Sequence, residues 1–383
     1  MLSDPKQFGY YSVGSHTVFS KVEALEISKR INAPIQYHFN DAEFSACNWS
    51  KEPGDSLHEL YERRAQQIRL KYDYVVLFYS GGADSHNMLE SFLHAGVEPD
   101  EIASFHSYDA DYDKSSTFNR EIFETAIPYV QQLKASGRLS AGVQHRLIEM
   151  GGIISQFNKD VDWHNFCYFV NSSVSINNVA RSRLRKYIKD WANIIAAGKS
   201  LCLVWGYDKP RVNQVDDCFY LEFMDIQDNC ISVINQQYPQ SGYFDEMFYH
   251  TPDIPEIAVK QAHIVKNFLT SASASHPYLT QNITGLGHVM KLVNGEKKAH
   301  WLTQNALSYL IYPWFNDKLY YEGKPKDIIT SKRDTWFWSD VELAKEFYAS
   351  INDVYSKLGD AWANFNNGNR WTNNFRSKKY LIG

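Results

Sequence analysis

The stretch Tyr74-Val75-Val76-Leu77-Phe78-Tyr79-Ser80-Gly81-Gly82-Ala83-Asp84-Ser85 decides how this chain is read. Six apolar or aromatic residues in a row fit a strand buried on both faces, the pattern of a parallel sheet. Two glycines then permit a tight turn and a close approach of backbone to a ligand. Asn87-Met88-Leu89-Glu90-Ser91-Phe92-Leu93 follows with helical spacing, so a helix is expected over Ser85–Ala95. In that order, strand, turn and helix aim the first free amides of the helix at an anion beyond the strand, with the positive end of the helix dipole behind them. Ser80 and Ser85 add hydroxyl donors, and Asp84 is placed to help hold a magnesium ion on bound phosphates.

Outward from this stretch, strand and helix alternate. Strands are expected at Tyr74–Tyr79, Ile102–Tyr108, Gln144–Met150, Leu201–Gly206 and Phe219–Phe223, with helices at Ser85–Ala95, Ser116–Ser136 and Val174–Ala197. The class is therefore α/β, a Rossmann-like parallel sheet with helices on both faces, over residues 71–238. Ligands of such sheets lie beyond the carboxyl ends of the strands, where strand order reverses. Residues 1–70 predict an extension made of a hairpin (7–14 and 16–19), a helix at Lys21–Ile31 and a second helix at Leu57–Leu70. Residues 239–383 read as a mostly helical, aromatic-rich domain. Its amphipathic helices are expected over Tyr249–Ser271 and Asp340–Asn364, and its aromatics are dense at Tyr312-Pro313-Trp314-Phe315 and Trp336-Phe337-Trp338.

Ser80-Gly81-Gly82-Ala83-Asp84-Ser85, after a first strand and before a helix, resembles the PP-loop of the N-type ATP pyrophosphatases, the adenine nucleotide alpha hydrolase-like superfamily. That superfamily includes asparagine synthetase, NAD synthetase, argininosuccinate synthetase, tRNA-thiolating enzymes, phosphoadenylylsulfate reductase and the small subunit of ATP sulfurylase. The resemblance spans the α/β part only, and its motif is specific to the superfamily rather than to one reaction. It implies ATP and Mg²⁺ on Ser80, Gly81, Gly82, Ala83, Asp84 and Ser85, cleavage between the α- and β-phosphates, and release of pyrophosphate from an adenylated substrate.

Further residues at the strand ends follow from the same resemblance. The chain after the second strand passes the adenine and ribose in such proteins, which makes Ser107 and Asp109 nucleoside contacts; the plainer alternative is a polar turn. Gly206-Tyr207-Asp208-Lys209-Pro210-Arg211 loosely resembles the glycine-to-arginine segment after the fourth strand of the sulfate-activating and sulfate-reducing members. Lys209 and Arg211 would then neutralise charge on departing pyrophosphate, and Asp208 would share the metal with Asp84. A solvated turn is the alternative there. His164 is a candidate base or a structural histidine. Arg181, Arg183, Arg185 and Lys186 line an anionic channel or form a charged solvent face, 181 and 185 sharing a side of their helix. Gly198-Lys199-Ser200 imitates the end of a Walker loop but lies between helix and strand, the reverse of the required order, and reads as a helix end.

Composition and absences narrow the chemistry. A net charge of −5 argues against a broad nucleic-acid surface. The five cysteines, at 47, 167, 202, 218 and 230, lack metal-ligand spacing and read as the reduced thiols of a cytoplasmic protein. Met1-Leu2-Ser3-Asp4-Pro5 has no basic region leading into an apolar core, and no apolar run reaches the ~20 residues of a membrane span. There is no Cys-x-x-Cys for sulfur carriage, no four-cysteine zinc set, no cysteine in Ser377–Gly383, and Leu2 stands where an amidotransferase exposes its nucleophile. What is left is an ATP-dependent ligase, similar in logic to the synthetase domain of asparagine synthetase. It adenylates a carboxylate or similar small-molecule acceptor for attack by ammonia, an amine or a nitrogen or sulfur delivered by a separate protein. ATP sulfurylase-like adenylyl transfer, tRNA or DNA base modification (not favoured by charge), a non-catalytic nucleotide binder and a homodimer all stay open.

Overall fold

The computed structural model describes residues 4–106, 121–153, 184–206, 209–225, 241–271, 288–293, 296–302, 304–315 and 375–383, with isolated positions at 156, 342, 345, 349, 365–366 and 369–370. The chain opens on a three-stranded antiparallel sheet, β1 (Tyr10–Val13), β2 (His16–Val18) and β3 (Ile35–His38), with β1 in the middle. The helices α1 (Lys21–Ile31), α2 (Asp41–Ala46) and α3 (Leu57–Lys71) follow this sheet or interleave with it. The hairpin and the two long helices lie where expected; β3 and α2 are additions. Ser20 caps α1, and α3 starts with a full capping box, Ser56 Oγ accepting from the Glu59 amide and Glu59 Oε2 from the Ser56 amide at 2.7 Å.

A five-stranded sheet follows, and all its neighbours run parallel: β4 (Tyr74–Phe78), β5 (Glu101–His106), β6 (Gln144–Glu149), β7 (Leu201–Trp205) and β10 (Tyr243–Met247), in the spatial order β10-β7-β4-β5-β6. Four of the five strands are those expected from sequence. Strand order reverses between β4 and β7, the neighbouring strands that carry the glycine turn and Gly206 at their carboxyl ends. Helix α4 (Ala83–His94) follows β4, and a π-helical turn (Glu121–Ala126) running into α5 (Ile127–Ala135) precedes β6. The helix expected over Val174–Ala197 is found in two pieces, Leu184–Tyr187 and Lys189–Ala196, and its earlier part lies outside the described residues.

The fifth strand is a correction. Phe219–Phe223 does not join the parallel sheet. It belongs to an antiparallel hairpin, β8 (Arg211–Val215) and β9 (Cys218–Glu222), which the returning chain end extends through Tyr380–Leu381. Val212, Phe219 and Leu221 are buried while Val215 and Asp216 are exposed, the one-sided burial of an antiparallel ribbon. The true fifth strand carries two buried acids, which break its apolar run. Asp245 accepts from Trp205 Nε1 at 2.9 Å, and Glu246 from Arg64 at 2.7 Å, Lys71 at 2.8 Å and Tyr72 at 2.5 Å. The expectation of a mostly helical region after residue 239 is corrected as well. Helices at Glu256–Ser271 and Gln304–Ile311 are present, but so is an antiparallel pair, His288–Val293 with Glu296–Leu302.

Packing unites the ends of the chain. One contiguous core runs from Tyr11, Phe44 and Trp49 through Leu77 and Phe92 to Phe223, Ile257, Tyr380 and Ile382. Lys21 and Asp225 form a wholly buried ion pair at 2.7 Å, and Asp225 also accepts from Tyr11 Oη at 2.7 Å and the Phe375 amide at 2.9 Å. Burial raises the Asp225 carboxyl above its ordinary range, and Lys21 partly opposes the rise. No helix among the described residues is long and apolar enough to cross a membrane.

Candidate functional site

At the reversal point, β4 ends at Phe78 and the chain turns through Tyr79–Gly82 into α4. Gly81 adopts φ +82°, and a Cβ there would lie 2.9 Å from the Glu121 carbonyl and 3.1 Å from the Ala126 amide nitrogen. Both its conformation and its close packing on the π-turn demand glycine. Gly82 is the N-cap of α4 and supplies no side-chain cap, unlike Ser20 and Ser56 at the other helices. The loop is braced from within: the Ser80 amide donates to Ser85 Oγ (3.1 Å), the Gly82 amide to Ser80 Oγ (3.2 Å), and Ser85 Oγ to the Gly82 carbonyl (3.1 Å). These bonds shape the bend while the amino end of the helix still faces the sheet's carboxyl edge.

Three chain segments meet at Asp84. Lys209, itself buried, pairs with Asp84 Oδ1, and Tyr312 Oη donates to the same oxygen at 2.5 Å. Tyr249 Oη donates to the Asp84 carbonyl at 2.6 Å and accepts from Asn87 Nδ2 at 3.1 Å. The rings of Tyr249 and Tyr312 stack with centroids 5.1 Å apart, and Lys209 Nζ lies 5.5 Å from the Tyr312 centroid. Burial, reinforced by the Asp84 charge, lifts the Tyr312 hydroxyl well above its usual range, so it serves as a neutral donor. The Asp84 side chain nevertheless keeps 32% of its surface exposed, which leaves it open to a ligand. Gly206 completes the contact between strand ends: a Cβ there would meet Met88 Cε at 3.0 Å and the Asp84 carbonyl at 3.3 Å.

Of the residues expected from sequence, Ser80, Gly81, Gly82, Ala83, Asp84, Ser85, Gly206 and Lys209 are brought together here. Arg211 opens β8, in register with Glu222 on the antiparallel hairpin. Ser107, Asp109, His164, Arg181, Arg183 and Asp208 lie outside the described residues, and nothing is described of the side chains of Arg185 and Lys186. Tyr249, Tyr312 and Glu121 were missed. The only signal in the sequence for Tyr312 was the aromatic cluster around it; Tyr249 and Glu121 had none. A Cβ on Gly82 would lie 3.3 Å from Glu121 Oε1, so this carboxylate borders the bend.

The wall behind the loop is made by His86, Tyr129 and Glu90. His86 is buried 4.8 Å from the Tyr129 ring and lies 3.4 Å from Tyr79 Oη, and burial lowers its pKa from 6.5 to about 4. Glu90 accepts from Tyr129 Oη and from Arg138 at 2.8 Å. At the next strand ends, burial lowers His106, with Glu149 opposing.

A second constellation has nucleophile-like spacing: Ser12 Oγ lies 2.8 Å from His38 Nε2, and His38 Nδ1 lies 2.7 Å from Asp41 Oδ2. It sits on the first sheet, whose strand β1 is paired on both sides. It ties β1 to β3 and α2.

The residues present would fit an anion such as phosphate only together with a cation. The backbone offers a glycine bend and an open helix start, but Asp84, Glu121 and Lys209 together sum to one negative charge, so a cation is needed to offset the phosphates. Among the described residues no group of three or more His, Cys, Asp or Glu would hold a metal unaided. Mg²⁺ shared between one or two carboxylates and phosphate oxygens requires no such cage. In comparisons with known protein families and with curated proteins, the chain matched none.

Proposed function

We propose that the chain binds Mg²⁺-ATP at the Ser80–Ser85 bend and breaks it between the α- and β-phosphates to adenylate an acceptor, as a PP-loop ligase does. One observation carries the reading. A buried parallel strand, a left-handed glycine and an uncapped helix of 12 residues stand at the point where the strand order reverses, beside a buried lysine.

The geometry supports the following roles. Main-chain amides of Gly81, Ala83 and Ser85 are placed to receive phosphate oxygens, and the Ser80 and Ser85 hydroxyls hold the bend in shape. Asp84 would hold the cation, which when bound neutralises the triphosphate and polarises the bond to be broken. Lys209, at the end of β7, is placed to stabilise the negative charge that gathers on pyrophosphate as it leaves. No side chain need act as nucleophile; orientation and charge neutralisation supply the rate. The acceptor is a small oxyanion, a carboxylate above all, taking nitrogen from ammonia, an amine or a separate donor protein.

Incubation of the protein with ATP labelled at the α-phosphate tests this. The expected products are AMP and pyrophosphate, formed only with Mg²⁺ and lost in Asp84→Ala. ADP as product would contradict the ligase assignment, and tight ATP binding without any product would leave a binding protein.

A further inference from the structure

We infer that Tyr312, from the carboxyl-terminal third of the chain, is a positioning residue for the cation-binding carboxylate of Asp84. This rests on the nucleotide reading above and adds to it a residue that no loop motif contains.

The two carboxylate oxygens of Asp84 are in different situations. Oδ1 takes both donors, Tyr312 Oη at 2.5 Å and Lys209 Nζ. Oδ2 takes none among the described residues, and the side chain is one-third exposed. A carboxylate pinned at one oxygen cannot spin about its Cβ–Cγ bond, so the other oxygen keeps one heading. Carboxylates that ligate metals are generally held in this way by an outer donor, and removing that donor typically costs 10–100-fold in metal affinity.

Tyr312 is itself fixed. It is 2% exposed, stacks on Tyr249 and follows directly on the helix Gln304–Ile311. The end of that helix is tied down by Tyr61, whose Oη donates to the Ile311 carbonyl at 2.9 Å and accepts from Gln261 Nε2 at 2.8 Å. Trp314, two residues on, stacks on His94 at the far end of α4, with centroids 4.9 Å apart. One short segment thus contacts both ends of the helix that starts at the phosphate bend. Tyr249 holds the Asp84 backbone and Tyr312 its carboxylate, so the two bonds fix different parts of one residue.

The test uses the full-length chain and Mn²⁺ as the probe, with free Mn²⁺ read by electron paramagnetic resonance in the presence of ATP. Tyr312→Phe deletes one hydroxyl and is expected to weaken Mn²⁺ binding 10- to 100-fold. Binding of a fluorescent ATP analogue at saturating Mn²⁺ should stay within about twofold of wild type, because no donor to phosphate has changed. A fluorotyrosine at position 312 keeps ring and hydroxyl and alters donor strength alone. It serves where the phenylalanine variant fails to reproduce the wild-type circular dichroism, and a changed Mn²⁺ affinity is expected there too. Wild-type Mn²⁺ affinity in both variants, beside normal binding by the parent protein, overturns the inference. Absence of both Mn²⁺ and ATP binding in the parent protein overturns the nucleotide reading, and this inference with it.

Discussion

Lys21–Asp225 and Lys209–Asp84 are built from the same parts and serve different ends. Each joins a lysine to an aspartate that also accepts from a tyrosine, Tyr11 in the first and Tyr312 in the second. In the first, both side chains are wholly buried, and the second Asp225 oxygen is taken by the Phe375 amide. That pair clamps the amino-terminal helix, the β8–β9 hairpin and the returning chain end, and nothing of it faces water. In the second, Lys209 is buried but Asp84 is one-third exposed at the edge of the glycine bend. Complete satisfaction fits a structural pair; the oxygen left over in the first turn of α4 is what the proposed binding role of the second pair rests on.

The largest expected break in this symmetry is in stability. Lys21→Met strands a buried carboxylate and should lower unfolding free energy by about 3–5 kcal/mol in urea titrations. Lys209→Met leaves Asp84 in touch with water. It should change stability by less than about 1 kcal/mol while slowing AMP formation roughly a hundred- to a thousandfold. Equal destabilisation by the two substitutions would erase the distinction.

Acid sharpens the comparison at an intermediate size, through His86 on the same helical turn as Asp84. Its folded pKa of about 4 lies below its ordinary 6.5, so the unfolded chain binds the extra proton first. Stability therefore falls as pH drops from 6.5 towards 4, by up to about 3 kcal/mol for this group, and is unaffected by it above 6.5. Urea midpoints of His86→Gln should depend less on pH across that window than those of the parent protein. An unchanged pH slope would mean that His86 does not titrate in this way.

The bend itself gives a smaller and local effect. Gly81→Ala forces a side chain into a left-handed turn against the Glu121 carbonyl and should cost about 1–3 kcal/mol together with nucleotide binding. Gly54→Ala, where a Cβ meets nothing within 4 Å, should be near neutral in the same thermal melts. A neutral Gly81→Ala would show that the bend is not constrained as described.

The parts of the fold legible in sequence were those where one physical rule acts alone. β4 and β7 are buried on both faces and read as plain apolar runs, and α1 and α3 announce themselves with Ser20 and the Ser56–Glu59 box. β10 stayed hidden because Asp245 and Glu246 belong to a tertiary network; burying them makes sense only once Trp205, Arg64, Lys71 and Tyr72 surround them. Phe219–Phe223 had the composition of a sheet strand, but pairing is a property of partners: Leu221 lies opposite Val212 and Tyr380, and Phe219 opposite Gln214. The site divides in the same manner. Ser80–Ser85 is a local motif and could be read; the positions of Tyr249, Tyr312 and Glu121 depend on how distant segments pack against it.

The most direct test of the central claim is a crystal structure of the full chain with Mg²⁺ and α,β-methylene-ATP, which cannot be cleaved at the proposed bond. The account predicts phosphate oxygens within hydrogen-bond distance of the Ala83 and Ser85 amides, with the cation on Asp84 Oδ2. A triphosphate bound elsewhere, with the start of α4 untouched, would contradict it.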